Sequence, residues 1–200
     1  MAQDASVVRL VNGTKAYLQA AVDNYSRKIR AWAVTERFDP SNTCQVLVAA
    51  GKHLVDAGRP LLYADSGVEN VNAAVDATLL TACLERILAQ VDVGFSNSMV
   101  EAFWRSLKHQ WLFINSLESI ERLRSLVAFY VEQHNTQMPH SAFEGQTPDE
   151  MHFGTAANLA AELATANTNA RAARLAANRA LSCEACLGQQ GARPEARNPP

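Results

Sequence analysis

The sequence predicts an α/β fold, with a mixed five-stranded sheet flanked by helices. Three observations predict it. Short β-branched runs separated by turn residues fill roughly the first 35 positions. Helix-type and strand-type segments then alternate to about residue 95, and the segments beyond are helical. This order of elements is typical of a sheet that is covered by helices on its faces.

The first three strands are predicted to form an antiparallel meander. The runs 5–10 and 16–23 flank Asn12-Gly13, a dipeptide that favours the tight turn of a β-hairpin. Residues alternate in character along 29–34, which predicts a third strand beside the hairpin.

A helix and a fourth strand are predicted to follow. Ser41 can cap the helix, Val46 and Leu47 begin its apolar spacing, and Gly58 is predicted to end it. The apolar run 59–65, "RPLLYAD", is bounded by turn residues and predicts a buried strand.

The rest of the chain is predicted to be mainly helical. Residues 68–90 form a long helical stretch, either continuous or broken once, and "VDVGF" at 91–95 is a candidate fifth strand. The helix 96–112 follows, and then a helix that Ser116 or Ser119 could cap. Next comes "TPDEM", in which Pro148 suits the first position of a short helix.

Three regions are expected along the chain. Residues 1–154 contain all the predicted strands, and 155–182 form an extension rich in Ala and Arg that is expected to be helical. Residues 183–200 are rich in Gly, Pro and polar residues and are expected to be a disordered tail.

The composition excludes several classes of protein. The net charge is −2, which argues against a strongly basic nucleic-acid binder but allows a local basic patch. No apolar run is long enough for a membrane helix, and the first residues do not resemble a signal peptide. The four cysteines lack the spacing of a disulfide framework, so a reducing cytosol is expected.

Zinc binding is not favoured by the Cys and His positions. Cys183-x-x-Cys186 is half of a zinc motif with no second pair nearby. His134, His140 and His152 do not have the spacing of zinc ligands, and packing or capping roles are expected for them.

The two remaining cysteines, Cys44 and Cys83, are expected to lie in the core, on apolar faces of helices.

Three acids lie at positions that can converge. Asp4 is in the first strand, Asp65 ends the fourth, and Glu101 is in the first turns of a helix, with 35 residues between Asp65 and Glu101. Two divalent ions, about 3.5–4 Å apart and bound by carboxylates, suit phosphoryl transfer on nucleic acid. Taken alone, each acid has an ordinary explanation, because Asp favours turns and Glu favours helix N-termini.

The helix around Glu101 is amphipathic. Glu101, Arg105 and Lys108 recur at helical spacing on one side. A separate apolar stripe contains Val100, Phe103, Leu107 and Trp111. Periodicity alone does not separate a metal ligand beside two phosphate-binding cations from an ordinary Glu–Arg pair, which stabilises a helix by about 0.2–0.5 kcal/mol.

Residues 4–154 resemble the catalytic core of integrases and of the bacterial insertion-sequence transposases related to retroviral integrase. Four segments make the resemblance: "DASVVRLVNGTKAYLQAAVDNYSRKIRAWAV", "YADSGVENVNAAVD", "SNSMVEAFWRSLKHQWL" and "HNTQMPHSAFEGQTPDEM". The spacing of 35 residues and the Lys seven positions after the Glu match in the same order.

The resemblance implies an RNase H-like fold and a D, D(35)E triad of Asp4, Asp65 and Glu101 that binds two Mg²⁺ or Mn²⁺ ions. It also implies that Lys108 contacts DNA near the site, with Arg105 beside it.

The end of the second strand and the turn that follows it contain further charged residues. Asp23 belongs to the family's pattern but not to its triad. The turn that contains Arg27 and Lys28 is either a DNA contact or a solvated turn.

Members of this family begin their first strand before the first Asp and have N-terminal helix-turn-helix domains. By that resemblance the chain is expected to be the C-terminal part of a longer transposase, with a truncated first strand. Two hypotheses follow: a metal-dependent polynucleotidyl transferase core, or a non-catalytic remnant that keeps the fold and at most weak DNA binding or self-association.

The implied partners are DNA (element ends and target) and further copies of the chain, and no membrane is implied. The implied location is the bacterial cytoplasm, in association with the nucleoid.

Overall fold

A computed structural model describes most of the chain, with side chains described as far as Leu181. The described residues are 1–52, 61–67, 70–81, 84–88 and 98–188. The chain divides into two compact units, Met1–Thr155 and Ala156–Pro200. The prediction that residues 1–154 and 155–182 are separate domains remains a prediction.

The first unit alternates strands and helices. Its elements are β1 (Ala2–Arg9), β2 (Lys15–Val22), β3 (Ile29–Thr35), α1 (Pro40–Gly51), β4 (Leu61–Ala64), α2 (Ala73–Thr81), β5 (Glu85–Leu88), α3 (Ser98–Gln110), α4 (Ile120–Thr136) and α5 (Pro148–Phe153). Short 3₁₀ turns lie at Leu112–Ile114 and Ser141–Phe143.

Within the described residues the sheet has five strands in the order β3-β2-β1-β4-β5. β1, β2 and β3 are antiparallel neighbours, whereas β1, β4 and β5 run parallel. The predicted mixed five-stranded sheet flanked by helices is confirmed. The parallel contact of β1 with β4 is short, with Ala2 opposite Tyr63.

The first hairpin forms at the predicted dipeptide. Gly13 has φ +84°, a conformation that side chains with a Cβ rarely adopt. The Asn12 side chain accepts a hydrogen bond from the Thr14 amide at 3.0 Å, and β1 then pairs with β2 over eight residues. A local turn signal therefore sets the register of the strand that contains Asp4.

Two other predicted helix starts are confirmed. Ser119 caps α4, its side chain accepting from the amide of Arg122. Thr147 and Glu150 form a capping box at α5, with Pro148 in the first turn.

The cap predicted for α1 was wrong by two residues. Asp39 is the N-cap, because its side chain accepts a hydrogen bond from the Ser41 amide at 2.8 Å. Pro40 lies in the first turn, where its missing N–H costs nothing. The predicted end at Gly58 lies outside the described residues, and α1 is described to Gly51.

The fifth strand is not where the sequence predicted it. β5 is Glu85–Leu88, inside the stretch 68–90 that was predicted to be helical. Leu84, Ile87 and Leu88 have spacing that suits a helix. Residues 85–88 form a strand instead, because the edge of β4 offers them a parallel partner. The segment 91–95, predicted as the strand, lies outside the described residues.

The described core of this unit has one large cluster, a smaller one, and a third, mainly of alanines, that contains Ala21, Ala31, Val46 and Ala50. The large cluster packs the sheet against α3 and α4 and includes Leu18, Val100, Leu107, Leu123 and Val127. The smaller cluster lies among α1, β4 and α2 and contains Leu47, Leu62, Val75, Leu79 and Leu84.

The second unit is described as a single helix, α6 (Leu159–Gly188). The predicted helical extension is present, but α6 continues past Cys183, where a disordered tail was expected. Ala, Leu and Glu favour helix there, and no Gly or Pro interrupts the sequence before Gly188. None of the helices in the described ranges has both the length and the apolar character needed to cross a bilayer.

Candidate active site

Asp4 lies on the face of β1 that α3 covers. The indole Nε1 of Trp104 donates a hydrogen bond to Asp4 Oδ2 at 3.1 Å. Lys108 Nζ donates to the hydroxyl of Ser6 at 2.5 Å. Two residues of a strand advance by about 6.7 Å and four residues of a helix by about 6 Å, so these two bonds hold α3 along β1.

The environment of Asp4 raises its pKa to about 6. Burial has the largest effect, and the negative charges of Asp65 and Glu101 raise the pKa further. The amide of Ala5 and the indole of Trp104 oppose this shift by hydrogen bonding. Asp65 and Glu101, the other two acids of the predicted triad, therefore each lie within electrostatic range of Asp4.

Asp65 follows directly after β4 and is held by polar contacts. Its Oδ1 accepts hydrogen bonds from the amide of Gly67 at 3.1 Å and from the side chain of Asn70 at 2.6 Å. Asn70 is 2% exposed, and its carbonyl accepts from Arg86 at 2.5 Å. Arg86 also pairs with Asp76 at 2.8 Å. The turn role considered for Asp65 is therefore real, and a buried amide fixes its carboxylate.

Glu101 is exposed in the first turn of α3. Val100, Phe103 and Leu107 form the predicted buried face, together with Trp104. Neither Glu101 nor Arg105 is in any ion pair of the part of the chain that the structure describes. The Glu–Arg pair that periodicity allowed is therefore not formed.

The acids suit a divalent ion in kind, because Mg²⁺ and Mn²⁺ prefer carboxylate oxygens. Within the described ranges, however, no group of three His, Cys, Asp or Glu side chains is close enough together to hold a metal ion. The roles of Asp4, Asp65 and Glu101 as catalytic residues and metal ligands thus remain predictions.

Lys108 is half-buried beside Asp4. Burial lowers the pKa of its ammonium group, and the charge of Asp4 opposes that shift. The bond to Ser6 and the proximity to Asp4 place this cation next to the candidate carboxylates. Arg105 is exposed one turn earlier on α3. DNA contact by either residue remains a prediction.

Arg27 and Lys28, the other two predicted DNA contacts, differ in their partners. Lys28 pairs with Asp149 at 2.6 Å and lies 4.4 Å from the centre of the Phe153 ring. Arg27 has φ +62°, and its guanidinium donates to the carbonyl of Asn24. Among the described residues, neither has a hydrogen bond or ion pair with the three candidate acids.

Asp23 takes part in a polar cluster with α5. The His152 Nδ1 atom lies 3.4 Å from Asp23 Oδ2 and 3.3 Å from the hydroxyl of buried Ser26. Arg30 donates to His152 Nε2 at 3.1 Å, so Nδ1 is the nitrogen that bears the proton of a neutral ring. Burial alone would raise the pKa of Asp23, but hydrogen bonds from Ser26, from the Tyr25 amide and from His152 lower it.

The other histidines and Cys44 have packing or capping roles. His134 bonds the Arg27 carbonyl, and His140 caps the 3₁₀ turn at Ser141–Phe143. Cys44 is partly buried against the smaller core cluster. Cys83 and the side chains of Cys183 and Cys186 lie outside the described residues.

The sequence analysis missed Ser6, Asn70, Arg86 and Trp104. A signal existed for Trp104, because a buried indole N–H needs an acceptor and its helix covers the strand that contains Asp4. Asn70 had no such signal, since its contact with Asp65 depends on the path of the chain after β4.

Sequence comparisons agree with this geometry. The family model described as "Integrase core domain" matches residues 87–148. The chain is 24% identical over 140 residues to the transposase InsK assigned to insertion sequence element IS150 of Escherichia coli, which covers 70% of this chain and 50% of that protein. It is also 24% identical over 150 residues to the transposase for IS904 of Lactococcus lactis, covering 74% of this chain and 58% of that protein. The chain thus spans about half the length of the curated relatives it matches.

Solved structures show the same fold. A simian T-cell lymphotropic virus intasome matches with a TM-score of 0.62 at 16% identity, covering 76% of this chain and 52% of that one. The HTLV-2 integrase catalytic core, in complex with magnesium, matches at 0.57 and 15% identity, covering 76% and 92%. The catalytic domain of Mos1 mariner transposase matches at 0.55 and 16% identity, covering 66% and 68%. Residues 87–148 therefore match the model of the integrase core domain, the chain is similar in sequence to insertion-sequence transposases, and it has the RNase H-like fold of retroviral integrase and mariner transposase catalytic cores.

Proposed function

We propose that this chain is the catalytic core of a DNA transposase that uses a D, D(35)E triad and two divalent ions, Mg²⁺ or Mn²⁺. Asp4, Asp65 and Glu101 would bind the metal. A water molecule or a DNA 3′-hydroxyl would attack a phosphodiester phosphorus in line, forming one P–O bond and releasing the 3′-oxygen of the broken one.

The placement of the acids on three elements supports this proposal most strongly. Asp4 lies on β1, Asp65 follows the parallel neighbour β4, and Glu101 lies on the helix whose indole bonds Asp4. Asp65 lies at the carboxyl end of a parallel strand, which is where open α/β sheets collect functional groups. The homology to transposases supports the substrate class.

Carboxylates without His or Cys fit hard divalent ions, which when bound would activate the nucleophile and stabilise the leaving oxygen. The chain's own residues would orient this chemistry. Trp104 fixes the Asp4 carboxylate and Asn70 fixes that of Asp65. Lys108, held by Ser6, would contact a phosphate beside Asp4, and Arg105 would contact the strand further along α3.

A non-catalytic role is the second candidate. It is favoured by one observation: the three acids, as described, do not form a group that could hold a metal ion. On this alternative the chain keeps the fold and binds DNA or itself weakly, without turnover.

Mn²⁺-dependent nicking of supercoiled plasmid DNA, with and without the element's ends, tests catalysis by the full chain. Asp65→Asn and Glu101→Gln are each expected to reduce nicking by at least about 100-fold, as the loss of a metal ligand should. Glu118→Gln, a change at another exposed Glu, is expected to keep wild-type activity. Equal product from wild type and both triad variants would reject the catalytic assignment.

Binding of Mn²⁺ alone separates the two candidates. Electron paramagnetic resonance is expected to detect bound Mn²⁺ in the wild type and less in Asp65→Asn and Glu101→Gln. Equal Mn²⁺ binding by the wild type and both variants would show that these acids do not bind the metal, and would reject the proposal of a catalytic core.

Partners and location follow from the same proposal. DNA is the expected partner, and an assembly of several copies is expected because the HTLV-2 integrase core was solved in dimeric and trimeric forms. A bacterial cytoplasmic location, in association with the nucleoid, is part of the proposal because the transposase relatives come from bacteria.

A further inference from the structure

A cavity of about 570 Å³ lies on the side of α3 away from the candidate acids. Its α3 wall is formed by Met99, Ala102, Ser106 and Gln110, which recur at helical spacing. At 100° per residue this row lies roughly 140° around the helix from the row that begins at Glu101. The cavity is therefore a surface separate from the candidate active site.

Phe103 also lines the cavity from α3. The remaining walls come from the end of β2, the β2–β3 turn, α4 and the loop that follows α4, and they contain Val22, Arg27, Tyr130, His134, Met138, Pro139, His140 and Ser141. The volume is within the range of about 300–1,000 Å³ that is typical of small-molecule sites.

The polar groups of this cavity are cationic or neutral. Arg27 lines it, none of the lining residues is Asp or Glu, and Arg27 is in no ion pair of the described part of the chain. Burial, and after it the charge of Arg27, lowers the pKa of His140, which places the guanidinium and the imidazole within electrostatic range. An anion is the ligand that would complement this charge.

Hydrogen bonds fix the orientation of the two histidine rings, His134 and His140. His134 Nε2 donates to the Arg27 carbonyl at 3.0 Å, since a carbonyl can only accept. His140 Nδ1 accepts from the Ala142 amide at 3.3 Å, so Nε2 is the donor of its neutral ring. The Nε2 atom of His140 and the guanidinium N–H groups of Arg27 that do not bond the Asn24 carbonyl are donors that an anion could use.

The rest of the cavity is suited to a flat apolar group. Phe103 and Tyr130 are only 6% and 4% exposed, and the His134 ring stacks on Tyr130 with 18° between the planes. Met99 and Met138 add flexible, polarisable side chains that adapt to an aromatic ligand. An anionic group joined to a flat ring is the chemistry of a nucleotide.

We propose that this cavity binds a nucleotide, with its phosphate against Arg27 and His140 and its base against Phe103, Met99 and Met138. A free nucleotide and the end of a single DNA strand share this chemistry. Only the second source rests on the proposed function.

Isothermal titration of the full chain with 2′-deoxyadenosine 5′-monophosphate tests the site. Arg27→Asn removes the charge and keeps a residue type that tolerates positive φ. It is expected to weaken binding at least about tenfold, as the loss of a hydrogen bond to a charged group does. Lys28→Gln, at the neighbouring cation that is already paired with Asp149, is the matched control and is expected to change affinity less than about twofold.

Three outcomes would overturn the proposal: equal affinity of wild type and Arg27→Asn, an equal loss in Lys28→Gln, or binding of inorganic phosphate as tight as that of the nucleotide. Ala102→Trp, which fills the cavity from an exposed position on α3, is expected to abolish binding and decides the matter if Arg27→Asn does not fold.

A 5′-phosphorylated oligodeoxyadenylate distinguishes the two sources. Tighter binding than the mononucleotide, lost in Arg27→Asn, supports a DNA strand, and equal binding of the two supports a free nucleotide. Asp65→Asn separates this site from catalysis: retained nucleotide binding with lost nicking supports both proposals. Retained binding with unchanged nicking supports the cavity while the proposed function fails.

Discussion

On one flank of the sheet, β2 and β3 extend for eight and seven residues, and α3 and α4 bury a large cluster against them. On the other flank, β4 and β5 have four residues each, and the cluster under them contains five buried side chains in the described part of the chain. Asp4 lies on β1, where the two flanks meet, whereas Asp65 follows β4 on the thin flank.

The two flanks hold their candidate metal ligands in different ways. Asp4 is positioned by a strand paired over eight residues and by a helix with a buried apolar face. Asp65 is positioned by hydrogen bonds from Gly67 and Asn70, with Arg86 behind them. Packing dominates on the thick flank and polar contacts dominate on the thin one.

Removing core volume should have the largest effect and should differ between the flanks. Leu123→Ala, at a fully buried position of the large cluster, is expected to lower the free energy of unfolding by about 3–5 kcal/mol. Leu62→Ala, in the small cluster, is expected to cost about 2–3 kcal/mol because fewer neighbours lose contacts. Urea unfolding measures both free energies, and a larger loss in Leu62→Ala than in Leu123→Ala would contradict the expected difference between the flanks.

Removing the amide that holds Asp65 should impair metal binding without abolishing it. Asn70→Ala is expected to weaken Mn²⁺ binding about 10–100-fold, as the loss of groups that orient metal ligands does. Asn115→Ala also removes an amide hydrogen bond, here to the Trp111 carbonyl, and is the control that should leave Mn²⁺ affinity unchanged. Equal Mn²⁺ affinities in the two variants would show that Asn70 has no positioning role.

The pH dependence of stability should show how much the ionised Asp4 carboxylate destabilises the folded chain. Its pKa is raised from 3.8 to about 6 in the folded chain, so its stabilising contribution is complete below pH 3.8 and is lost as the pH rises through 6. Asp4→Asn is therefore expected to raise the free energy of unfolding by about 1–2 kcal/mol at pH 7.5, allowing for partial exposure. At pH 3.5 the variant is expected to gain little stability over the wild type. Thermal unfolding at both pH values measures the two gains, and a larger gain at pH 3.5 than at pH 7.5 would contradict the prediction.

Ion pairs should have the smallest effects. Asp149→Asn, which breaks the half-buried pair with Lys28 on the thick flank, is expected to cost about 0.5–1 kcal/mol. Asp76→Asn, in the more exposed pair with Arg86, is expected to cost less than about 0.5 kcal/mol. A double-mutant cycle in low and high salt measures each pair, and a larger value for Asp76 would contradict this order.

Local signals predicted the elements that depend on local chemistry. Asn12-Gly13 predicts its hairpin because few dipeptides adopt that turn, and Thr147-Pro148 predicts the start of α5 because the capping groups are neighbours in sequence. Asp39 was missed as a cap in favour of Ser41, since both side chains can accept a backbone hydrogen bond.

Contacts between distant segments were not predictable in this way. Residues 84–88 suit helix or strand equally, and the free edge of β4 makes them a strand. The positions of Asp4, Asp65 and Glu101 were inferred from spacing and resemblance, but the indole and amide that hold two of them come from elements that only the fold brings together.

The contacts between the turn 23–28 and α5 constrain the order in which the first unit can be completed. His152 meets Asp23 across 129 positions of the chain, and Asp149 meets Lys28 across a similar span. As the polypeptide grows from its N-terminus, the hairpin of β1 and β2 can pair early, while Asp23 and Lys28 gain their partners on α5 only after His152 has been synthesised. A nascent chain that stalls before Pro148 would therefore expose the buried hydroxyl of Ser26 to water, at the end of an otherwise finished sheet.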